Sequence, residues 1–409
     1  MNALGQPGFR PFLFANTLSF LGSWIERLSL SWLAWELSGS AFWTGLVAAA
    51  FFLPSALLGP IVGAIAERWD MRRAAIWTNG MMTAFSFALF IIVMWLRPPV
   101  AVLAVMALVI GVVVAVNNPV RLVIVSQLVD KAAFSSAVRW NATAYNVTRV
   151  LGPAIAGVLI ATIGARWSLL ANPFSYLPLL AALAFIPFRP REARAASVGS
   201  QMGAIKDGMR YILRDGAILW CMGLTAINAL AVRSILEIMP VVVGELLKGD
   251  VILLGVLGSA SGAGSLLGAT FSSMLRISDR NSARLAAVFT VPGGLTLALL
   301  GAGWLPDFTI FLVAAAAFCA TICAINCQAL VFTLAPSDYH ARTMTWWTTL
   351  SLGASSLGGV IISAAVEFVP MDLIVIVSGL VGAIGAVIIY QRTPVQRIDA
   401  PGSAKQPAP

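Results

Sequence analysis

Charge is what this sequence most lacks. Only 11% of its 409 residues are Asp, Glu, Lys or Arg, where a soluble protein carries about a quarter. With 59% hydrophobic residues and a mean hydropathy of +0.89, an ordinary water-soluble fold is excluded. Histidine is almost absent: His340 stands alone between apolar segments, so no His cluster offers a general base or a metal site. The four cysteines, Cys221, Cys319, Cys323 and Cys327, all fall in apolar runs and give no disulfide framework. Three of them recur every fourth residue. Soft metals take thiolates, but the neighbours here are Ala, Phe and Ile with no Met-x-x-Met or His support, so the stripe reads as helix packing. Neither a Gly-x-x-x-x-Gly-Lys-Ser/Thr loop nor a Gly-x-Ser-x-Gly element occurs, and no paired Asp motif lies in the apolar runs. Those absences disfavour ATP-driven transport and an intramembrane enzyme, and imply no cofactor and no bound metal.

What is present is apolar runs of membrane length. A span needs about 20 mostly apolar residues. On that rule spans fall near 12–36, 42–66, 74–96, 100–125, 135–163 and 167–188, then near 217–243, 251–275, 283–304, 308–335, 342–368 and 371–390. Six plus six puts both termini on one side. The opening segment is apolar behind a single arginine, but no small-x-small cleavage site follows, so it reads as a retained first span. The expected organisation is an N-terminal six-helix bundle over 1–188 and a cytoplasmic linker with a short amphipathic helix over 189–216. A C-terminal six-helix bundle follows over 217–391, then a disordered cytoplasmic tail over 392–409.

Basic residues orient the chain. With the termini inside, the outer loops hold only Arg97, Arg166 and Lys248 of the 26 Lys and Arg. Arg27, Arg149 and Arg233 lie within spans, and the rest, Arg121 among them, fall to inner segments. The net charge of +9 is therefore a topology signal and not a nucleic-acid footprint. Both ends are expected in the cytoplasm.

The two halves echo each other. Gly152-Pro-Ala-Ile-Ala-Gly157 in the fifth span parallels Gly353-Ala-Ser-Ser-Leu-Gly358 in the eleventh, and Gly45-Leu-Val opening the second parallels Gly255-Val-Leu opening the eighth. Such repeats predict a transporter with its site near the middle of the membrane, where the halves meet. Ionisable residues within spans are costly, about 2.5–3.5 kcal/mol each even on insertion scales, so they should face the interior. Glu26 and Arg27 lie in the first span, and Arg233 and Glu237 lie in its counterpart, the seventh, on one helical face. Glu26 and Glu237 are the candidate proton carriers; the alternative is a permanent pairing with arginine that locks helices together. Arg149 is the third buried cation, available to an anionic substrate or to Glu26. Asn16, Asn117, Asn141, Tyr145, Asn146, Asn228, Asn326 and Gln328 are candidates to line a cavity, or to bond helix to helix.

The short loop GAIAERWDMRR, Gly63 to Arg73, forces the chain straight back across the membrane. It resembles the signature loop of the major facilitator superfamily, with Gly63, Ala66, Arg68 and Arg72 in register, Glu67 for an aspartate, Asp70 for a glycine and Met71 for an arginine. Segments 9–47, 117–157 and 336–347 are similar to the enterobactin-exporter and macrolide-efflux branch of that superfamily. The resemblance implies an all-α membrane protein of twelve transmembrane helices in two pseudo-symmetric six-helix bundles, exporting a small organic molecule (siderophore, drug or metabolite) in exchange for protons. It further implies that Glu67, Asp70, Arg68, Arg72 and Arg73 act as an inner gating loop. Gly152, Pro153 and Gly157 stand where the family's exporters carry Gly-Pro-x-x-Gly, here with one more residue before the last glycine. The expected setting is a bacterial inner membrane, with a small-molecule substrate, protons and the lipid bilayer as partners, no nucleic acid, and a monomer. A lipid or lysolipid flippase and a transport-dead sensor are the alternatives on the same scaffold.

Overall fold

In the computed structural model the described residues are 3–66, 69–186, 188, 201–275, 279–303, 306–336 and 339–391. They form helices and no strand. The order is α1 (Phe9–Ser38), α2 (Ala41–Ala50, resumed over Leu53–Ala66), α3 (Met71–Leu96), α4 (Val100–Leu128), α5 (Phe134–Ile163) and α6 (Ala165–Phe185). Then come α7 (Gln201–Arg214), α8 (Gly216–Glu237), α9 (Val251–Met274), α10 (Asp279–Gly301), α11 (Pro306–Leu334), α12 (His340–Ala365) and α13 (Met371–Gln391). All but α1 and α7, 11 helices, are long and apolar enough to cross a membrane. The 30-residue α1 is the polar exception and completes the twelve. The expected linker residues 189–200 and tail 392–409 lie outside the described residues.

Local chemistry sets the helix ends. Gly39 takes φ +59° and returns its N–H to the Trp35 carbonyl at 2.8 Å, which closes α1 in a left-handed cap that favours glycine. The side chains of Ser40, Asp70 and Asp215 accept backbone N–H groups and start α2, α3 and α8. Inside the helices Pro119, Pro153, Pro178 and Pro292 each remove a backbone donor. The eighth helix is the least regular. It widens to a π turn over Asn228–Arg233 and ends at Glu237, three residues before Pro240.

Packing divides the chain into two compact units. One comprises Met1–Val198, Ile238–Gly262 and Gly359–Phe368; the other comprises Gly199–Glu237, Ala263–Gly358 and Val369–Pro409. In the second, Trp220, Cys221, Leu224, Cys323, Cys327, Leu330 and Trp347 form an apolar core, and Trp347 donates to Thr225 at 3.2 Å. The thiols pack there as small apolar groups. Gly294 and Gly379 let α10 and α13 approach to backbone contact, since a Cβ on either would meet the carbonyl oxygen of the other. Exposed Phe14, Val158, Ile361 and Ile384 face outward, as a lipid-solvated protein requires.

Candidate functional site

The first helix carries a polar stripe, Asn16, Ser19, Ser23 and Glu26, at spacings of three and four residues. Glu26 is 1% exposed, and its carboxyl is hydrogen-bonded to the side chains of Ser86 on α3 and Asn172 on α6. Asn172 also donates to Ser86 at 3.0 Å, so the three groups close on one another. The Glu26 Oε2 atom is buried with no partner. One turn away Ser23 lies 2.9 Å from the Tyr176 hydroxyl. Ser23 gives its own proton to the Ser19 carbonyl at 2.8 Å, so Tyr176 is the donor to Ser23. Tyr176 in turn is hydrogen-bonded to Arg121. Arg121 donates to Asn79 at 3.0 Å and lies over the Phe20 ring, 4.9 Å from its centroid. Glu26, Tyr176 and Arg121 thus belong to one polar network in the interior of the first unit.

Arg121 was not legible as part of that network. The positive-inside reading counts it with the inner segments at the end of the span expected over 100–125, whereas α4 runs on through Leu128 and carries it into the bundle. The apolar run Leu122–Val125 beyond it was the available signal. Arg27, next to Glu26, turns elsewhere and stacks on Trp24 and Phe52 at 5.0 and 4.0 Å from the ring centroids. Arg149 is half-buried on α5. Arg233 and Glu237 pair at 3.5 Å across one helical turn, on one face as their spacing predicts.

Of the polar candidates, several join helices. Asn16 donates to Asn141 at 2.8 Å, Asn117 to Thr78 at 2.8 Å and Asn228 to the Ala320 carbonyl at 3.1 Å. Asn326 donates to Ser272 at 3.3 Å and to its own helix at Ile322. Asn146 bonds back to Ala142 within α5. Tyr145 and Gln328 are exposed, and Tyr145 meets Phe20 edge-on at 5.3 Å.

The glycine motif divides its contacts between two neighbours. A Cβ on Gly152 would lie 2.5 Å from the Trp24 Cβ, so Gly152 seats α5 against α1. Pro153 and Gly157, one turn apart, face α9 instead. A Cβ on Gly157 would lie 2.9 Å from the Gly255 Cα, and one on Gly258 2.6 Å from the Pro153 Cβ. Gly262 extends the seam against the Arg149 carbonyl. A second seam joins α2 to the end of α12, where Gly45 lies against Ser363 and the Gly359 carbonyl. The repeated glycines therefore meet crosswise: the fifth span's on the eighth's, and the second span's beside the eleventh's. Close by, Glu367 accepts from the Ser40 hydroxyl at 2.7 Å and the Phe42 N–H at 3.3 Å, at the N-terminus of α2.

In the loop after α2, Asp70 accepts from the Arg73 N–H at 3.1 Å and pairs with the exposed Arg73 side chain at 3.5 Å. Arg72 reaches the carbonyls of Leu183 and Ala184 and closes the C-terminus of α6. Gly63 lies in the last turns of α2, and Glu67 and Arg68 fall outside the described residues.

Twelve long helices, charges kept in a bundle interior and repeated halves define a multi-pass membrane transporter of the major facilitator fold. The chain belongs to the transmembrane secretion effector family of that superfamily, whose sequence profile matches residues 1–409. It is 29% identical over 203 residues to the staphyloferrin A transporter of Staphylococcus aureus (strain NCTC 8325 / PS 47), a match covering 49% of this chain and 50% of that protein, about half its length. It is 26% identical over 404 residues to the uncharacterized MFS-type transporter YfiS of Bacillus subtilis (strain 168), covering 95% of each. Among solved structures it is similar to a bacterial homolog of the human lysosomal transporter Spinster, at TM-score 0.72 and 14% identity, over 97% of this chain and 99% of that one. It is a transporter and not an enzyme.

Proposed function

We propose that the protein is a secondary active exporter that moves a small organic molecule out of the cytoplasm of a bacterium, by alternating access and in exchange for protons. The observation that carries this reading is Glu26: a carboxyl buried in an apolar bundle, with one oxygen unpartnered and a chain of polar groups beside it. An ionisable group held at such cost within a membrane is functional by default. The family's description as a secretion effector supports the outward direction, and the match to the staphyloferrin A transporter supports an organic cargo. The glycine seams suit the motion, because backbone surfaces without interdigitating side chains can part and reseal. In this reading both termini are cytoplasmic, a monomer suffices, Arg149 and Tyr145 belong to the substrate's surroundings, and the loop from Gly63 to Arg73 gates the inner side.

The test is a mass-spectrometric comparison of spent medium and cell extract from cells lacking and carrying the protein. The expected result is a compound enriched outside and depleted inside only where the protein is present. Enrichment inside the carrying cells would replace export by uptake.

The clasp of Glu367 on α2 would hold the outer side closed. Glu367→Gln removes a carboxylate from a helix N-terminus, so the closed form should lose about two- to five-fold in population. Spin labels on the α1–α2 and α12–α13 connections should then show a larger fraction of long distances, and an unchanged distribution would remove the clasp from the gate.

A further inference from the structure

The polar connection between the halves ends in α7, and α7 has two unlike faces. One is docked: Ile212 is buried, Tyr211 stacks on Tyr339 at 4.6 Å, and Gly208 lies against Arg342 and Trp346. Burial, then the charge of Asp215 and the neighbouring Tyr339, pushes the Tyr211 phenol up, so it stays neutral and adds no negative charge to that end of the helix. The other face carries Lys206, Arg210 and Arg214, each four residues from the next, all exposed. Leu213, 61% exposed, lies among them, and Asp207 sits at the edge of the stripe. The helix ends one residue before α8, which is long and apolar enough to cross a membrane, and between them the Asp215 side chain accepts the N–H groups of Ala217 and Ile218 at 2.9 and 3.1 Å. Three cations and an exposed leucine therefore lie beside the start of a membrane-length helix, a position suited to the lipid interface.

We infer that this face of α7 binds the headgroup of an anionic phospholipid, with Lys206, Arg210 and Arg214 on the phosphate and Leu213 against the chains. A basic stripe with an apolar companion matches an anionic lipid and gives a neutral one no advantage. Because α7 is docked on Tyr339 and the start of α12, the bound lipid would bear on a helix of the transport fold. The inference rests on the reading that this face is cytoplasmic.

The test uses the purified full chain in detergent, titrated with phosphatidylglycerol or phosphatidylcholine and followed by native mass spectrometry. Phosphatidylglycerol should bind the unmodified chain preferentially. Lys206→Gln/Arg210→Gln/Arg214→Gln should weaken it about tenfold and leave phosphatidylcholine unchanged. Equal phosphatidylglycerol binding by the two proteins overturns the site. Should the triple variant melt early in lipid-free detergent, Arg210→Gln alone must still lower the affinity, and no change there also overturns it. The detergent measurement does not depend on orientation, which is read separately. Asp207→Cys, with the four native thiols buried, should react with an impermeant maleimide in inside-out vesicles and not in whole cells. Labelling from outside would overturn the orientation alone and leave the lipid site standing.

Discussion

Gly157→Leu should cut transport by about tenfold or more while the protein still inserts and folds. The added Cβ alone meets the Gly255 Cα at 2.9 Å, and that neighbour is backbone, which cannot rotate away. Three further carbons require α5 and α9 to separate along the seam formed by Arg149, Pro153 and Gly157. Forcing extra atoms into a packed contact costs about 1–3 kcal/mol, and about 1.4 kcal/mol is tenfold in an equilibrium. That cost falls on whichever conformation closes the seam, so the cycle slows without the bundle unfolding. Gly80→Leu is the control: a Cβ there meets nothing within 4 Å, and activity should stay near that of the unmodified protein. Export of the compound identified in spent medium, measured for both variants at matched expression, decides it. Comparable loss in both would mean that α5 and α9 need not close.

That seam was partly legible beforehand. The pairing of Gly152–Gly157 with Gly353–Gly358, and of Gly45 with Gly255, stood out as repeats because small residues are conspicuous in long apolar runs. The repeats did not tell which copy touches which, since a helix apolar all round gives no period that separates a lipid-facing side from a protein-facing one. The spans themselves were legible for a simpler reason. A backbone in hydrocarbon must satisfy its own hydrogen bonds, so twelve apolar runs admit little but twelve helices. The polar network was less legible. Asn16, Ser19, Ser23 and Glu26 lie on one face, but Arg121, near the end of the expected span 100–125, was counted with the inner segments. A cation a few residues inside a helix end looks, in sequence, like one just outside it. The π turn at Asn228–Arg233 left no sequence signal beyond Pro240 further on.

In the proposed exporter, the network favours Glu26 over Glu237 as the proton carrier. Glu237 has an arginine one turn away at 3.5 Å, and both side chains keep some exposure, 19% and 30%. A carboxylate so placed has its charge answered by the arginine and suits a fixed pair. Glu26 is buried, hydrogen-bonded to Ser86 and Asn172, with its Oε2 lacking a partner, and in the proposed exchange it is the candidate carrier. Proton exchange needs that contrast, because the carboxyl must be neutral when dry and ionised when wet. Glu26→Gln keeps the shape and hydrogen-bonding capacity but removes the proton. Gradient-driven transport by this variant in reconstituted vesicles should therefore fall to the level of empty vesicles, while exchange of labelled for unlabelled substrate, which needs no net proton movement, continues. Glu237→Gln should retain most of the gradient-driven rate. If Glu26→Gln still accumulates substrate against a gradient, the proton passes elsewhere, and the buried carboxyl serves only to hold α1, α3 and α6 together.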